Sequence, residues 1–227
     1  QGVLIATSNA QIANVLVDGN EIHHNGYDEG SGDTTCFNSA WNPTPPFDSP
    51  KHCHGVYLSN AGCDGIDGIT ISNNNIHHHA GRAVNINSDG CVDSFIDDTV
   101  IAGNQLVANS VNVMLWVDVR GTQITGNEFS LGGWPESDDF ENAHLGFAGT
   151  SGGTITGNTF SMTIGVNDAY QFVDYGGNGA QASFDFNTWN LPSAGGAWYW
   201  NSNYREDFST QWKNVTGWDV GGTINVN

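Results

Sequence analysis

One short phrase keeps returning in this chain and leaves few folds open to it. Alternating apolar residues lead into a Gly-Asn or Asn-Asn pair, one variable residue and a large apolar one. It occurs as Val15-Leu16-Val17 with Gly19-Asn20-Glu21-Ile22, and as Ile69-Thr70-Ile71 with Asn74-Asn75-Ile76. It returns as Val100-Ile101 with Gly103-Asn104-Gln105-Leu106, and as Ile124-Thr125 with Gly126-Asn127-Glu128-Phe129. Ile155-Thr156 with Gly157-Asn158-Thr159-Phe160 follows, then a degraded copy, Phe184-Asp185-Phe186 with Asn187-Thr188-Trp189. From Asn74 onward the gaps between these Asn are 30, 23, 31 and 29 residues. A repeat of that length marks a solenoid-type array, whose units bury their apolar faces only by stacking.

A second phrase sits between the copies: Val56-Tyr57-Leu58, Val84-Asn85-Ile86, Val113-Met114-Leu115-Trp116-Val117, Leu145-Gly146-Phe147, Phe172-Val173-Asp174 and Trp198-Tyr199-Trp200. Each alternates with period two, shows no helical period and is bounded by Gly, Asn or Asp. Two strand phrases per repeat predict an all-β, right-handed parallel β-helix of six to seven coils, about 4.8 Å apart. The repeated Asn suits a left-handed turn, and stacked copies can hydrogen-bond up the column. Residues 1–227 read as a single domain with a loop insertion at 25–54 and an irregular C-terminal cap at 203–227. A second insertion, Leu131 to Asn142, emerges on the same edge and carries Trp134.

Net charge is −19, with 24 Asp and Glu against five Lys and Arg. Nucleic acids and anionic membranes are bound through Lys and Arg, so this balance excludes them as expected partners and disfavours polyuronates. Neutral polymers and cations remain. The even count of cysteines suits an oxidising, extracellular compartment. Cys63 and Cys91 are one repeat apart, and Cys36 and Cys53 bracket the long insertion, so the pairs Cys36–Cys53 and Cys63–Cys91 are expected. No apolar run approaches the length of a membrane span. The chain reads as a module of a larger secreted protein, covalently linked to catalytic domains, and a monomer.

Parity along the second phrase places Val113, Leu115 and Val117 inside and Met114 and Trp116 outside. The same parity turns Tyr57, Asn85 and Asn87 outward, and Trp198 and Trp200 outward around an inward Tyr199. Trp41 and Trp134 flank this face from the insertions. Indoles facing solvent mark an interaction site, and their flat faces suit the C–H faces of sugar rings while Asn amides bond the hydroxyls. Trp116 and the Trp198/Trp200 pair lie three coils apart, about 14 Å, which matches a threefold xylan-like chain. The plainer reading makes some of these Trp core or cap residues.

Three other clusters carry possible chemistry. His23 and His24 in one coil stand over His77, His78 and His79 in the next. Such a stack could hold a transition metal, or it could be a polar turn repeated with the coil. Oxygen-rich turns at Asp64, Asp67 and Asp89 suit a structural Ca²⁺, and no cofactor is required. Lys51, His54 and Arg82 form the one cationic cluster, and they could supply the base and charge a uronate lyase needs.

Across nearly its whole length the repeated strand-GN-x-Φ pattern resembles the pectate-lyase-like right-handed parallel β-helix superfamily, which contains polysaccharide lyases, polygalacturonases and epimerases. The polygalacturonase Gly-His-Gly stands here as Cys53-His54-Gly55, no Arg-Ile-Lys follows, and the alginate epimerase Asp-Pro-His is absent. In acidity and aromatic content the chain also resembles the β-helical xylan-binding carbohydrate-binding modules. That resemblance implies a non-catalytic module for a neutral plant polysaccharide such as xylan or another hemicellulose. A polysaccharide lyase or glycoside hydrolase is the alternative.

Overall fold

The computed structural model describes residues 2–25, 54–79, 81–88, 91, 93–109, 111–131, 142–149, 151–162, 169–174, 181–191, 198–200, 203–205 and 219–226. Among the described residues there are strands and turns but no helix. Three sheets run along the molecule. The first takes Val3–Ala6, Val56–Ser59, Arg82–Asn87, Val111–Trp116, Asn142–Ala148, Ala169–Asp174 and Trp198–Trp200 in chain order, all parallel, before Asn203–Arg205 turns back antiparallel. The third takes Glu21–His23, Asn75–His77, Gln105–Val107, Glu128–Leu131, Thr159–Met162, Thr188–Leu191 and Thr223–Val226. Shorter strands such as Ile66–Asp67 and Thr70–Ser72 build the second. The architecture is all-β with stacked parallel strands, compatible with a parallel β-helix.

The repeat thus has three sheet segments where the sequence phrases mark two strands. The strand-GN-x-Φ phrase is bent in its middle, and the bend falls on the residue before the recurring Asn. That residue has positive φ at Gly19 (67°), Asn73 (54°), Gly103 (64°), Gly126 (62°), Gly157 (65°) and Phe186 (56°). The expectation that the stacked Asn itself adopts the left-handed region is corrected here. Nothing lies within 4 Å of a Cβ built on Gly126, so the backbone angle rather than crowding favours glycine.

The stacked Asn has a different task. Asn74 donates its backbone N–H (2.9 Å) and Nδ2 (3.0 Å) to Asn104 Oδ1, and Asn104 does the same to Asn127 Oδ1. Asn127 repeats the pattern on Asn158, and Asn158 on Asn187. Each Nδ2 also reaches a carbonyl of the preceding coil, as Asn104 does to Ile71 O (2.9 Å). The ladder ends on Asp219, whose Oδ1 accepts from Asn187 N and Nδ2 while Oδ2 accepts from Trp189 Nε1. An acceptor-only carboxylate is the right terminus for a column in which every member donates forward.

Inside the column, in-register stacking puts like on like. Val56 pairs with Val84, and Val84 with Val113; Ile71 pairs with Ile101, and Ile101 with Ile124. On the third sheet Ile76, Leu106, Phe129, Phe160 and Trp189 follow one another, all at most 1% exposed. The rings of Phe129 and Phe160 stack at 4.6 Å, and those of Phe160 and Trp189 at 4.2 Å. Cys63 and Cys91 form the expected disulfide between successive coils. Cys36 and Cys53 lie outside the described residues.

Candidate functional site

The outer face of the first sheet was expected to be an exposed aromatic platform, because parity alone turns alternate side chains outward. In register, Tyr57, Asn85, Met114 and Gly146 form one row, and Ser59, Asn87, Trp116 and Ala148 another. Exposure does not follow parity. Met114 is 0% exposed and Asn85 2%, and Met114 belongs to a second small core with Val111, Ala143 and Ala148. Trp116 packs against that core and keeps part of its surface. Tyr57 and Asn87 are half-buried beside it. The surface patch is therefore Tyr57, Asn87 and Trp116, with Asn85 beneath it. Val117, expected inside, follows the strand in a left-handed turn (φ 48°) and is half-buried.

Under the patch lies a polar network. Arg82 Nη1 donates to Asn85 Oδ1 at 3.0 Å, and its guanidinium carbon sits 5.9 Å from the Trp116 ring centre. The Arg82 backbone N–H donates to His54 Nδ1 at 3.2 Å, and His54 packs edge-on against Tyr57 at 5.1 Å. His54 Nδ1 accepts from that N–H, and its Nε2 lies 3.4 Å from Asn85 Nδ2, so both ring nitrogens have a close neighbour. His54 is 1% exposed and Arg82 9%. The structure brings these two members of the cationic cluster together; Lys51 lies outside the described residues, as do Trp41 and Trp134.

The backbone register runs Leu145, Phe172, Trp198 on one row and Gly146, Val173, Tyr199 on the next. Trp198 thus shares the backbone register of Val113, and Tyr199 that of Met114.

Asp64 and Asp67 line a cleft of about 540 Å³ on the second sheet together with Asp93, Asp97 and Asp98. Burial raises the Asp97 carboxyl, with Asp98 and Asp67 pushing the same way and Arg120 opposing. Among the described residues no three His, Cys, Asp or Glu converge as a metal-binding group, and Asp89 lies outside them.

His79, expected as a member of the histidine column, is buried, and so is His144, which had no expected role. His79 Nδ1 accepts from Asn25 N (3.2 Å) and its Nε2 donates to Ile22 O (3.1 Å), so the neutral ring is fully used. His144 Nδ1 lies 3.1 Å from Asn112 Nδ2, while its buried Nε2 has no partner of good geometry. Burial pushes both imidazoles down to about 3, against weaker opposing pulls from the Ile22 and Ser161 backbones. The unfolded chain therefore binds protons that the folded chain refuses between roughly pH 6.5 and pH 3. Stability should fall through that window on acidification, by about 1.4 kcal/mol per pH unit for each such His at the steepest. Urea unfolding at pH 7, 5.5 and 4.5 reads this directly; a midpoint that does not move would show that these rings protonate in the folded state.

No protein-family model, curated protein or solved structure matches the chain.

Proposed function

We propose that the chain is a non-catalytic carbohydrate-binding module of a secreted, plant-polysaccharide-degrading protein, and that it recognises a neutral polymer such as xylan. The observation that carries this is the half-exposed patch of Tyr57, Asn87 and Trp116 on two outward rows of one rigid sheet. Trp116 and Tyr57 offer apolar faces to sugar rings, and the Asn87 amide, 3.5 Å from Tyr57 Oη, offers a donor and an acceptor. A preformed platform binds with little ordering cost. The fold reading that goes with it is a right-handed, pectate-lyase-like β-helix of six to seven coils. Secretion fits the disulfide, and no helix of the described residues is long and apolar enough to cross a membrane.

A lyase or glycosidase is the second reading, favoured by the buried His54–Arg82–Asn85 network, since perturbed ionisable clusters gather at active sites. Binding is preferred because both His54 ring nitrogens face buried neighbours, Arg82 is hydrogen-bonded to Asn85, and the chain has only five Lys and Arg to steady a uronate. Affinity electrophoresis on xylan, mannan, β-glucan and pectin, with absorbance of unsaturated products and reducing-sugar release in parallel, separates the two. Retardation on a neutral polymer without products supports the module. Product release would overturn it and direct attention to Lys51, His54 and Arg82.

Trp116→Ala should weaken polysaccharide binding about 10- to 100-fold, the loss typical of a central aromatic anchor. It should cost only about 1–2 kcal/mol of stability, because the ring covers part of one small core rather than filling it. Trp116→Phe should recover most of both. Unchanged affinity in Trp116→Ala would remove the patch from the binding site.

A further inference from the structure

The histidine column has a geometry that its sequence spacing does not reveal. His23 and His77 end equivalent strands of the third sheet and are paired in register. His24 and His78 follow them with φ of 55° and 56°. Successive residues of a strand point to opposite faces, but a left-handed residue breaks that alternation and swings the second imidazole back toward the first. His23 Nδ1 and His24 Nδ1 are 2.7 Å apart, and His77 Nδ1 and His78 Nδ1 are 2.8 Å apart. The two coils repeat the arrangement: His23 stacks on His77 and His24 on His78, both at 5.2 Å with planes 5° apart.

We propose that these paired imidazoles are a transition-metal site, each His-His pair chelating through its two Nδ1 atoms and selecting a square-planar ion such as Cu²⁺ or Ni²⁺. Two nitrogens at a metal distance of about 2.0 Å lie about 2.8 Å apart when they are cis in a square plane and about 3.3 Å apart in a tetrahedron. The observed separations match the square plane. Without a metal, a single Nδ1–H···Nδ1 bond joins each pair; when the ion binds, that proton moves through solvent to Nε2 of the same ring and both Nδ1 lone pairs face the metal.

A second observation points the same way. Glu21 Oε1 lies 3.4 Å from His77 Nε2, the ring nitrogen opposite the chelating one. A carboxylate behind a ligating imidazole is the usual outer partner that orients the ring and raises its basicity. The rings are also reachable: His23 is exposed and the other three are half-buried. The surrounding net charge of −19 concentrates cations at the surface. Since no third His, Cys, Asp or Glu converges among the described residues, water or an external ligand completes the coordination. Ions on both pairs would stand about one coil apart and repel, so one tightly held ion per chain is expected.

The test is titration of the chelator-stripped full chain with Cu²⁺ at pH 7.5, followed by visible absorption and electron paramagnetic resonance. The expected result is one tight equivalent with an axial spectrum showing nitrogen splitting, held against equimolar Ni²⁺ and indifferent to excess Ca²⁺. The variant His24→Asn with His78→Asn keeps a residue that tolerates the left-handed turn and should bind at least tenfold more weakly, with unchanged circular dichroism. His23→Gln with His77→Gln, outside the turn, should show the same loss. Wild-type affinity in both variants, or a spectrum with oxygen ligands alone, would place the ion on the carboxylates and overturn the site. So would strong competition by Ca²⁺.

Discussion

Replacing Asn104 by alanine should lower stability by about 4 kcal/mol, far more than a surface turn residue normally contributes. The substitution strips Asn104 Oδ1 from both the Asn74 N–H and the Asn74 Nδ2, and removes the donor to Ile71 O. Asn74 is 2% exposed and Asn104 1%, so water cannot readily replace the lost partners. Each buried polar group left unpaired costs about 1–3 kcal/mol. Asn104→Asp should fare no better. It keeps the acceptor for Asn74 but loses the donors to Ile71 and Ala102, and sets a carboxylate oxygen against Asn127 Oδ1. Asp219 tolerates that chemistry because, where the ladder stops, it is asked only to accept. Urea unfolding decides the matter: a shift in midpoint worth less than 1 kcal/mol at unchanged slope would mean that the ladder is replaced by solvent.

Phe160→Ala should cost about 3–5 kcal/mol. The ring is fully buried between Phe129 and Trp189, with His144 beside it at 5.5 Å. Each layer of the stacked strands packs chiefly on its two neighbours, so the cavity opens directly onto Phe129 and Trp189. The Trp189 indole should lose its rigid neighbour, with a weaker near-ultraviolet circular dichroism signal and a red shift in emission. Phe160→Leu keeps most of the volume and should cost under about 1.5 kcal/mol. Equal losses in the two variants would show that ring stacking rather than filled volume is what matters there.

Two levels of this molecule read differently from sequence. Repetition made the column visible: Val56, Val84 and Val113, or Asn104, Asn127 and Asn158, are equivalent in sequence because they are neighbours in space. Stacking turns a one-dimensional period into a parallel register, so strand pairing and the Cys63–Cys91 bridge follow from spacing alone. The closeness of His54 to Arg82 was legible for the same reason. The bend at Gly103, Gly126 and Gly157 was not assigned to the right residue, because Gly and Asn both tolerate positive φ and the pair gives no order of preference.

What only the tertiary structure decided is the fate of the outward face. Parity says which way Asn85, Met114 and Trp116 point, and it says nothing about what is packed over them. Burial is a property of surfaces brought together from distant parts of the chain, so Met114 became core, Asn85 a buried partner of Arg82, and Trp116 half of each. The approach of His23 to His24 depended on a single left-handed residue, a backbone choice that the letters of a His-His pair do not specify. By itself the sequence determined the repeat, its parallel register and the polar columns at its corners, since those rest on identity recurring at a fixed period. Accessibility and the meeting of side chains within a turn were left to the folded chain, where dihedral angles and neighbouring surfaces are set together.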